Sequence, residues 1–310
     1  MATLNILLYH GVTSARSKGI ENFSGKHVLA KEFKRQMEYL AKHQNVVSLR
    51  EGVRLLNKER SDEKDYVCVT FDDTYQNMYT DAFPILKESQ VPATFFISTG
   101  FINTKKMFWT DKVENILNKS KVGSYELVTE KYSDNIVITK EKENQDKIDA
   151  IRRFKKYVKA FCTPKQRDEL IRDLANCMNV LNYDSTDDVD NYTNLSDSQI
   201  REISDNDLFD VGGHSVNHEI LSFLGEEELK SEIEESIKTL EDITLKKVDL
   251  YSYPEGQENH YNDKVIEILK SNGIKICPSA IHGINTGKTS SFHLKRVMVG
   301  FEGIEFPYEL

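Results

Sequence analysis

The sequence has no long hydrophobic run, no clustered cysteines and no excess of basic residues, and each absence excludes a class of protein. No apolar stretch reaches the roughly 18 residues that a transmembrane helix needs, so we expect no membrane-spanning segment. The first residues, MATLNILLYHGV, carry a short apolar run with no basic segment before it, which is atypical of a secretory signal peptide. We therefore expect a first β-strand there and a cytoplasmic location.

The cysteines and the net charge exclude two further classes. Cys68, Cys162, Cys177 and Cys277 are scattered with no CxxC spacing. That spacing favours ordinary reduced thiols over a zinc ribbon or a disulfide framework. The formal net charge is -9, whereas general nucleic-acid binding usually needs a concentrated basic surface. We expect no nucleic-acid partner.

Short apolar segments alternate with amphipathic ones, a pattern typical of a parallel sheet covered by helices. The predicted strands are Asn5 to Tyr9, Asn45 to Ser48, Tyr66 to Phe71, Ala93 to Ser98, Leu208 to Val211, Val248 to Tyr253, Ile274 to Cys277 and Leu294 to Val299. The predicted helices are Ala30 to His43, Leu49 to Lys58, Met78 to Ser89, Glu226 to Asp242 and Asn262 to Asn272. The sequence thus predicts an α/β fold, and its 310 residues suit a single barrel.

The alternation stops between residues 103 and 194, where the chain is highly charged and has one glycine, Gly123, and one proline, Pro164. We expect one domain over residues 1–310 with a mainly helical insertion at 103–194. The polar segment Asn182 to Asn194 predicts a loop returning to the main domain. Two roles stay open for the insertion, a purely structural one and a lid over the substrate.

The insertion has local structure of its own. Tyr125 to Val128 and Asn135 to Thr139 predict a hairpin. One helix is predicted from the spacing of Ile148, Ile151, Phe154, Tyr157 and Phe161. Thr163, Pro164 and Gln166 supply an N-cap, a proline at the first helical position and a capping-box partner, so a second helix begins there.

Two adjacent carboxylates, Asp72 and Asp73, follow the predicted strand that ends at Phe71. Adjacent residues at a strand end point in different directions. One carboxylate can therefore hold a metal ion while the other accepts a proton from water. The pair alone is weak evidence, because aspartate commonly starts turns.

The predicted strand ending at Val211 runs into two glycines and then His214 and His218, four residues apart. If the chain turns helically from Ser215, both histidines share one face and can bind the same ion. Two histidines and one aspartate leave positions for water and substrate, as a catalytic metal requires. The same ligands suit zinc and a non-haem iron oxygenase. A second carboxylate nearby favours hydrolysis, because activation of water needs a base.

A third segment, Tyr251-Ser252-Tyr253-Pro254-Glu255-Gly256, again predicts a strand that runs into a turn. Such a turn can aim the backbone amide of Glu255 at an oxyanion, a task that requires no particular side chain. An ordinary turn is the alternative.

Together these segments resemble the polysaccharide deacetylase family, also called the NodB-homology or carbohydrate esterase family 4 group. The matching motifs are Thr70-Phe71-Asp72-Asp73, His214-Ser215-Val216-Asn217-His218 and Tyr253-Pro254-Glu255-Gly256. The resemblance covers roughly Leu4 to Ile102 and Ser196 to Val299. The combination is highly specific, although no single motif is.

The resemblance implies a distorted (β/α)7-type barrel with its site at the carboxyl ends of the strands. It assigns Asp73, His214 and His218 to a divalent metal, with Zn²⁺ the default and Co²⁺, Ni²⁺ or Fe²⁺ as alternatives. It assigns Asp72 to the general base and the Glu255 amide to the oxyanion. The implied activity is hydrolysis of an N-acetyl or related acyl group on an amino sugar.

The chain departs from the family pattern at three places. Thr74 stands where a glycine usually follows the aspartate pair. The usual arginine of the third motif is absent, and Arg296 on the last predicted strand can pair with Asp72 instead, which would keep it ionised. The usual Leu-x-His motif is also missing. His10, at the end of the first strand, resembles the early acid histidine of poly-N-acetylglucosamine deacetylases, and we favour it over His293.

The expected cytoplasmic location favours a nucleotide-linked, lipid-linked or oligosaccharide precursor over mature wall polysaccharide as the acylated amino-sugar substrate. One alternative is a metal-dependent hydrolase of a non-sugar amide, or an oxygenase, on the same scaffold. Another is a catalytically silent carbohydrate-binding module, although retention of every proposed ligand and of the base argues against it. The sequence indicates no particular oligomeric state.

Overall fold

The computed structural model describes residues 2–57, 64–185 and 190–309. The chain forms two compact units. The first consists of Met1–Ser14, Ser24–Thr104 and Thr193–Leu310, and the second of Ala15–Phe23 and Lys105–Tyr192. A single domain with an insertion at 103–194 stays a prediction.

The strands of the described residues are, in chain order, β1 (Thr3–Tyr9), β2 (Gly11–Thr13), β3 (His27–Leu29), β4 (Asn45–Val46), β5 (Asp65–Phe71), β6 (Ala93–Ile97), β7 (Gly123–Val128), β8 (Ser133–Ile138), β9 (Phe209–Gly213), β10 (Pro278–His282), β11 (Asn285–Thr286) and β12 (Leu294–Met298). The α-helices are α1 (Ala30–His43), α2 (Leu49–Leu56), α3 (Phe83–Ser89), α4 (Trp109–Lys119), α5 (Glu143–Phe161), α6 (Pro164–Cys177), α7 (Asp197–Asp205), α8 (Glu226–Thr244) and α9 (Asp263–Ser271). The last residue of the predicted helix at Leu49 to Lys58 lies outside the described residues.

The main sheet of the first unit has the order β10-β12-β1-β5-β6-β9, and all neighbours in this path are parallel. Beyond β9, single-residue bridges join Gly213 to Tyr251 and Leu250 to Ile276. The fold is therefore an α/β distorted barrel, as predicted. Because parallel strands share one direction, the residues that follow β1, β5 and β9 lie at the same edge of the sheet.

Burial explains why this sheet forms. Every residue of β5 from Tyr66 to Phe71 is buried, as expected for a parallel strand with both faces covered. Helix α1 covers the sheet with a buried stripe of Phe33, Met37 and Leu40 at helical spacing. The carboxyl end of β5, which precedes the aspartate pair, is thus buried in the core.

The predicted helix at Met78 to Ser89 is divided into a π-helical turn, Met78–Ala82, and α3. The amide of Phe83 donates to the carbonyl of Met78, five residues back. Pro84 has no N–H for the carbonyl of Thr80, four residues back, so the wider turn precedes it.

Two of the predicted strands make no regular pairing over their predicted length. The segment Val248 to Tyr253 forms bridges only at Leu250 and Tyr251. The strand that follows in the chain and pairs with β12 is β10, rather than the predicted strand at Ile274 to Cys277. The new strand starts at Pro278, and the first strand position is one of the few that tolerate proline.

The second unit contains the predicted hairpin, β7 and β8, which pair antiparallel. Its helices α4, α5 and α6 pack around a core that includes Trp109 and Phe154. The predicted capping box is present, since Thr163 accepts from the Gln166 amide and the Gln166 side chain accepts from the Thr163 amide. Within the predicted loop at Asn182 to Asn194, residues 186–189 lie outside the described residues.

Two further observations concern membrane spans and the cysteines. No helix in the described ranges is long and apolar enough to cross a membrane. The four cysteines, all of them described, are free thiols.

Candidate metal centre

The aspartate pair occupies the turn that follows β5. The amide of Asp72 donates to the carbonyl of Tyr9 at 3.0 Å, which continues the β1 and β5 pairing by one residue. Asp73 then adopts a φ of 82°, a left-handed conformation that is uncommon outside glycine. The turn is fixed by Thr74, whose hydroxyl donates to the Ser98 carbonyl at 2.8 Å and accepts from the Ser98 amide at 3.0 Å.

The histidine segment follows β9, and the amide of His214 donates to the carbonyl of Ile97 at 3.0 Å. The helical turn considered from Ser215 onward is absent, because Ser215 and His218 have φ values of 61° and 57°. The loop closes instead through the His218 amide, which donates to the Ser215 hydroxyl at 2.9 Å. The two imidazoles still meet, with ring centroids 4.9 Å apart.

Asp73, His214 and His218 converge as a candidate metal site, and their donor atoms lie within 4.8 Å of one another. Asp73 Oδ1 is 3.8 Å from His214 Nε2 and 3.3 Å from His218 Nε2. Nδ1 of His214 donates to the Ser252 carbonyl at 2.9 Å, and a carbonyl can only accept, so Nε2 carries the lone pair. The donor set fits a divalent metal, and zinc suits it.

The His214 ring is buried, and burial lowers its pKa despite the opposing charges of Asp72 and Asp73. The neutral imidazole is the form that binds a metal ion. Ser252 contributes its hydroxyl as well, since Oγ lies 2.7 Å from His214 Nδ1 and donates to Asp72 Oδ1 at 3.3 Å. Its only sequence signal is its place beside the third motif.

Asp72 is paired with Arg296, as the sequence suggested. The guanidinium donates from Nη1 to Oδ1 at 2.8 Å and from Nη2 to Oδ2 at 2.6 Å. Burial alone raises the pKa of Asp72, but the Arg296 charge, His214 and the Arg296 hydrogen bonds outweigh it and lower the pKa to about 2. Asp72 is therefore a carboxylate at neutral pH, and its Oδ2 lies 3.8 Å from His214 Nε2.

His10 and His293 lie at opposite ends of the strands. The register pairs Tyr9 with Phe71, so His10 and Asp72 leave neighbouring strands side by side. His293 precedes the amino end of β12 and is exposed. Burial lowers the pKa of His10 to about 3 against the charge of Asp72, and its buried Nδ1 has no hydrogen-bond partner among the described residues.

Glu255 lies in the turn of the third motif with a φ of 59°, and Gly256 follows with a φ of 57°. The amide of Gly256 donates to the Pro254 carbonyl at 2.7 Å. A Cβ on Gly256 would lie 2.6 Å from the amide nitrogen of Ala280, so this turn requires glycine. The role of the Glu255 amide stays a prediction.

Comparison with known proteins supplies the family. The polysaccharide deacetylase family model matches residues 59–277, most of the chain. The chain belongs to the polysaccharide deacetylase family. The three motifs of the candidate metal centre all lie within this match.

Two named relatives match over shorter segments. The poly-beta-1,6-N-acetyl-D-glucosamine N-deacetylase of Staphylococcus epidermidis is 36% identical over 89 residues, which are 28% of this chain and 29% of that protein. The enzyme of the same name from Staphylococcus aureus strain MSSA476 is 30% identical over 116 residues, 36% of this chain and 39% of that protein. The chain thus matches less than half the length of either relative.

Solved structures show the fold over nearly the whole chain. The deacetylase PplD of Streptococcus pyogenes, in complex with acetate, has a TM-score of 0.61 and 17% identity, with 98% of this chain and 94% of that chain covered. IcaB from Ammonifex degensii has a TM-score of 0.57 and 17% identity, with coverages of 96% and 91%. At 17% identity, both likenesses show the fold alone.

Proposed function

We propose that the protein is a metal-dependent hydrolase that removes an N-acetyl or related acyl group from an amino sugar. The observation that best supports this is the position of an ionised carboxylate, Asp72, 3.8 Å from His214 in the donor set. Such an arrangement provides a base beside a metal, which hydrolysis needs and simple metal storage does not. The names of the staphylococcal relatives favour a carbohydrate amide as the substrate.

In this proposal Asp73, His214 and His218 hold the metal, with Zn²⁺ as the default ion. A divalent cation held by these residues would supply Lewis-acid chemistry for the hydrolysis of an acyl group. Asp72 accepts the proton of the attacking water, and the charge of Arg296 keeps the carboxylate available for that proton. The amide of Glu255 donates to the oxyanion.

The leaving amine needs a proton, and we assign its delivery to His10. Burial favours the neutral imidazole, so His10 must take up a proton from solvent before it can donate one to the amine. The neighbouring charge of Asp72 favours that uptake. His293 is at the opposite end of the strands and offers no such position.

The proposed form of the substrate follows from the expected location of the protein. We propose an acylated amino sugar in a nucleotide-linked, lipid-linked or oligosaccharide form, and a cytoplasmic location for the reaction. Fractionation of cells that express the tagged protein tests the location. Recovery outside the cytoplasm would direct attention to oligosaccharides and wall polymers.

The test of the activity is incubation of the zinc-loaded protein with a panel of N-acylated and O-acylated amino sugars, followed by mass detection of acyl loss. The matched control is Asp73→Ala with His218→Ala, which removes two proposed ligands. We expect acyl loss from at least one N-acetylated sugar with the unsubstituted protein only. Oxygen consumption by the iron-loaded protein, with no acyl loss from any sugar, would contradict the proposal and favour an oxygenase.

A further inference from the structure

A buried carboxylate on helix α8 holds the backbone between the two histidine ligands. Glu232 is 8% exposed. Its Oε2 accepts hydrogen bonds from the amides of Val216 and Asn217 at 2.9 and 2.8 Å. Its Oε1 accepts from the Asn217 side-chain amide at 2.6 Å. All three donors belong to residues between His214 and His218.

This loop needs such a partner because its backbone is unusual. Ser215 and His218 have φ values of 61° and 57°, which non-glycine residues rarely adopt unless the surroundings impose them. The loop forms neither a helix nor a strand that would pair the amides of Val216 and Asn217. Hydrogen bonds to a carboxylate are stronger than those to neutral acceptors, so Glu232 favours this conformation.

The same face of helix α8 also contacts Tyr251, which in turn holds Ser215 at the start of the histidine loop. The Tyr251 hydroxyl accepts from the Ser215 amide at 2.7 Å and lies 3.2 Å from Oγ of Ser236. Ser236 is one helical turn after Glu232, on the same side of α8. A Cβ on Gly213 would lie 2.5 Å from the Tyr251 ring, so the glycine permits this approach. Helix α8 therefore fixes the loop at two points.

We propose that Glu232 is a positioning residue, which holds the loop so that His214 and His218 reach one metal ion. It has no place in the chemical step. The inference rests on the metal site of the proposed function, but on neither the substrate nor the reaction. Loss of the carboxylate should therefore weaken metal binding in a protein that remains folded.

The experiment measures Zn²⁺ affinity by competition with a chromophoric chelator, well below the unfolding temperature. The variants are Glu232→Ala and Glu232→Gln, with Glu234→Ala and Glu234→Gln as matched controls, because Glu234 is exposed on the same helix. We expect roughly 10- to 100-fold weaker binding for Glu232→Ala, the range for groups that orient metal ligands. Glu232→Gln should lose less zinc affinity than Glu232→Ala, since the glutamine side-chain oxygen can still accept hydrogen bonds from both backbone amides. The controls should match the unsubstituted protein.

A second readout separates positioning from general stability. In the Co²⁺-loaded protein, the visible ligand-field absorption reports the coordination geometry, and we expect it to change in both Glu232 variants. If Glu232→Ala does not fold, the cobalt spectrum of Glu232→Gln is used as the test. Zinc affinities and cobalt spectra equal to those of the Glu234 controls would overturn the inference. Failure of the unsubstituted protein to bind zinc would instead overturn the proposed metal site, and the inference with it.

Discussion

Arg296 holds Asp72 through two parallel hydrogen bonds of 2.8 and 2.6 Å, although their strands are separated in the sheet by β1. Arg296 is 1% exposed, and its Nε donates a further hydrogen bond of 2.6 Å to the Ser279 carbonyl. The chain thus supplies from β12 the cation that is absent from the third motif. Bidentate geometry of this kind orients a carboxylate as well as keeping it ionised.

Loss of the Arg296 charge should destabilise the folded protein. Arg296→Gln leaves the Asp72 charge buried without its partner, so we expect the free energy of unfolding to fall by about 3–5 kcal/mol. Arg35→Gln is the control, because its pair with Glu32 is exposed and should contribute less than about 1 kcal/mol. Urea denaturation of the metal-free proteins measures both. Equal losses for the two variants would show that the buried pair is not stabilising.

The same pair predicts how stability depends on pH. The pKa of Asp72 is about 2 in the folded protein and 3.8 as its ordinary value. A lowered carboxyl pKa adds stability that is fully present above the ordinary value and is lost as the pH falls towards the folded value. Between pH 5 and pH 2, the unsubstituted protein should therefore lose about 2 kcal/mol more than Asp72→Asn. Urea titrations across this range measure the difference, and parallel curves would contradict the ion pair.

His10 and His293 should differ sharply when replaced. We expect His10→Asn to retain zinc and lower kcat by roughly 100-fold or more, the usual effect of losing a general acid. His293→Asn should leave kcat unchanged, since this residue is exposed at the amino end of β12. The comparison uses initial rates on the best substrate from the panel. The reverse result would assign the acid to His293.

Ser252 should affect the metal through His214. Its hydroxyl lies 2.7 Å from His214 Nδ1, so Ser252→Ala removes a contact that orients the ring. We expect about 10-fold weaker zinc binding. Ser279→Ala is the matched control, because Ser279 is another buried serine, and its hydroxyl donates to the Leu294 carbonyl. Unchanged affinity in Ser252→Ala would mean that the Ser252 carbonyl alone fixes the ring.

Features set by neighbours in the sequence were predictable. Helix α1 has the predicted bounds because its apolar residues repeat at helical spacing, and β5 is a continuous buried run next to the aspartate pair. The three motifs likewise placed the proposed ligands at strand ends. The pairing of strands was harder to predict from the sequence. Two predicted strands, Val248 to Tyr253 and Ile274 to Cys277, form only single-residue bridges.

Features set by distant residues were harder to predict from the sequence. The histidine loop is not the helical turn considered, since its left-handed residues are held by Glu232 and Tyr251 from other elements. Ser252 has no distinctive residue type or spacing. The pair of Arg296 with Asp72 spans 224 positions and was suggested only because an expected arginine was missing.

The most direct test of the proposed mechanism is acyl release by the unsubstituted protein and by Asp72→Asn, with bound zinc measured in the same samples. Asp65→Asn is the control, because Asp65 is exposed at the opposite end of the same strand. We expect all three proteins to bind equal zinc, and only Asp72→Asn to lose at least about 100-fold in rate. A zinc-loaded Asp72→Asn that hydrolyses the substrate at the unsubstituted rate would contradict the assignment of Asp72 as the base.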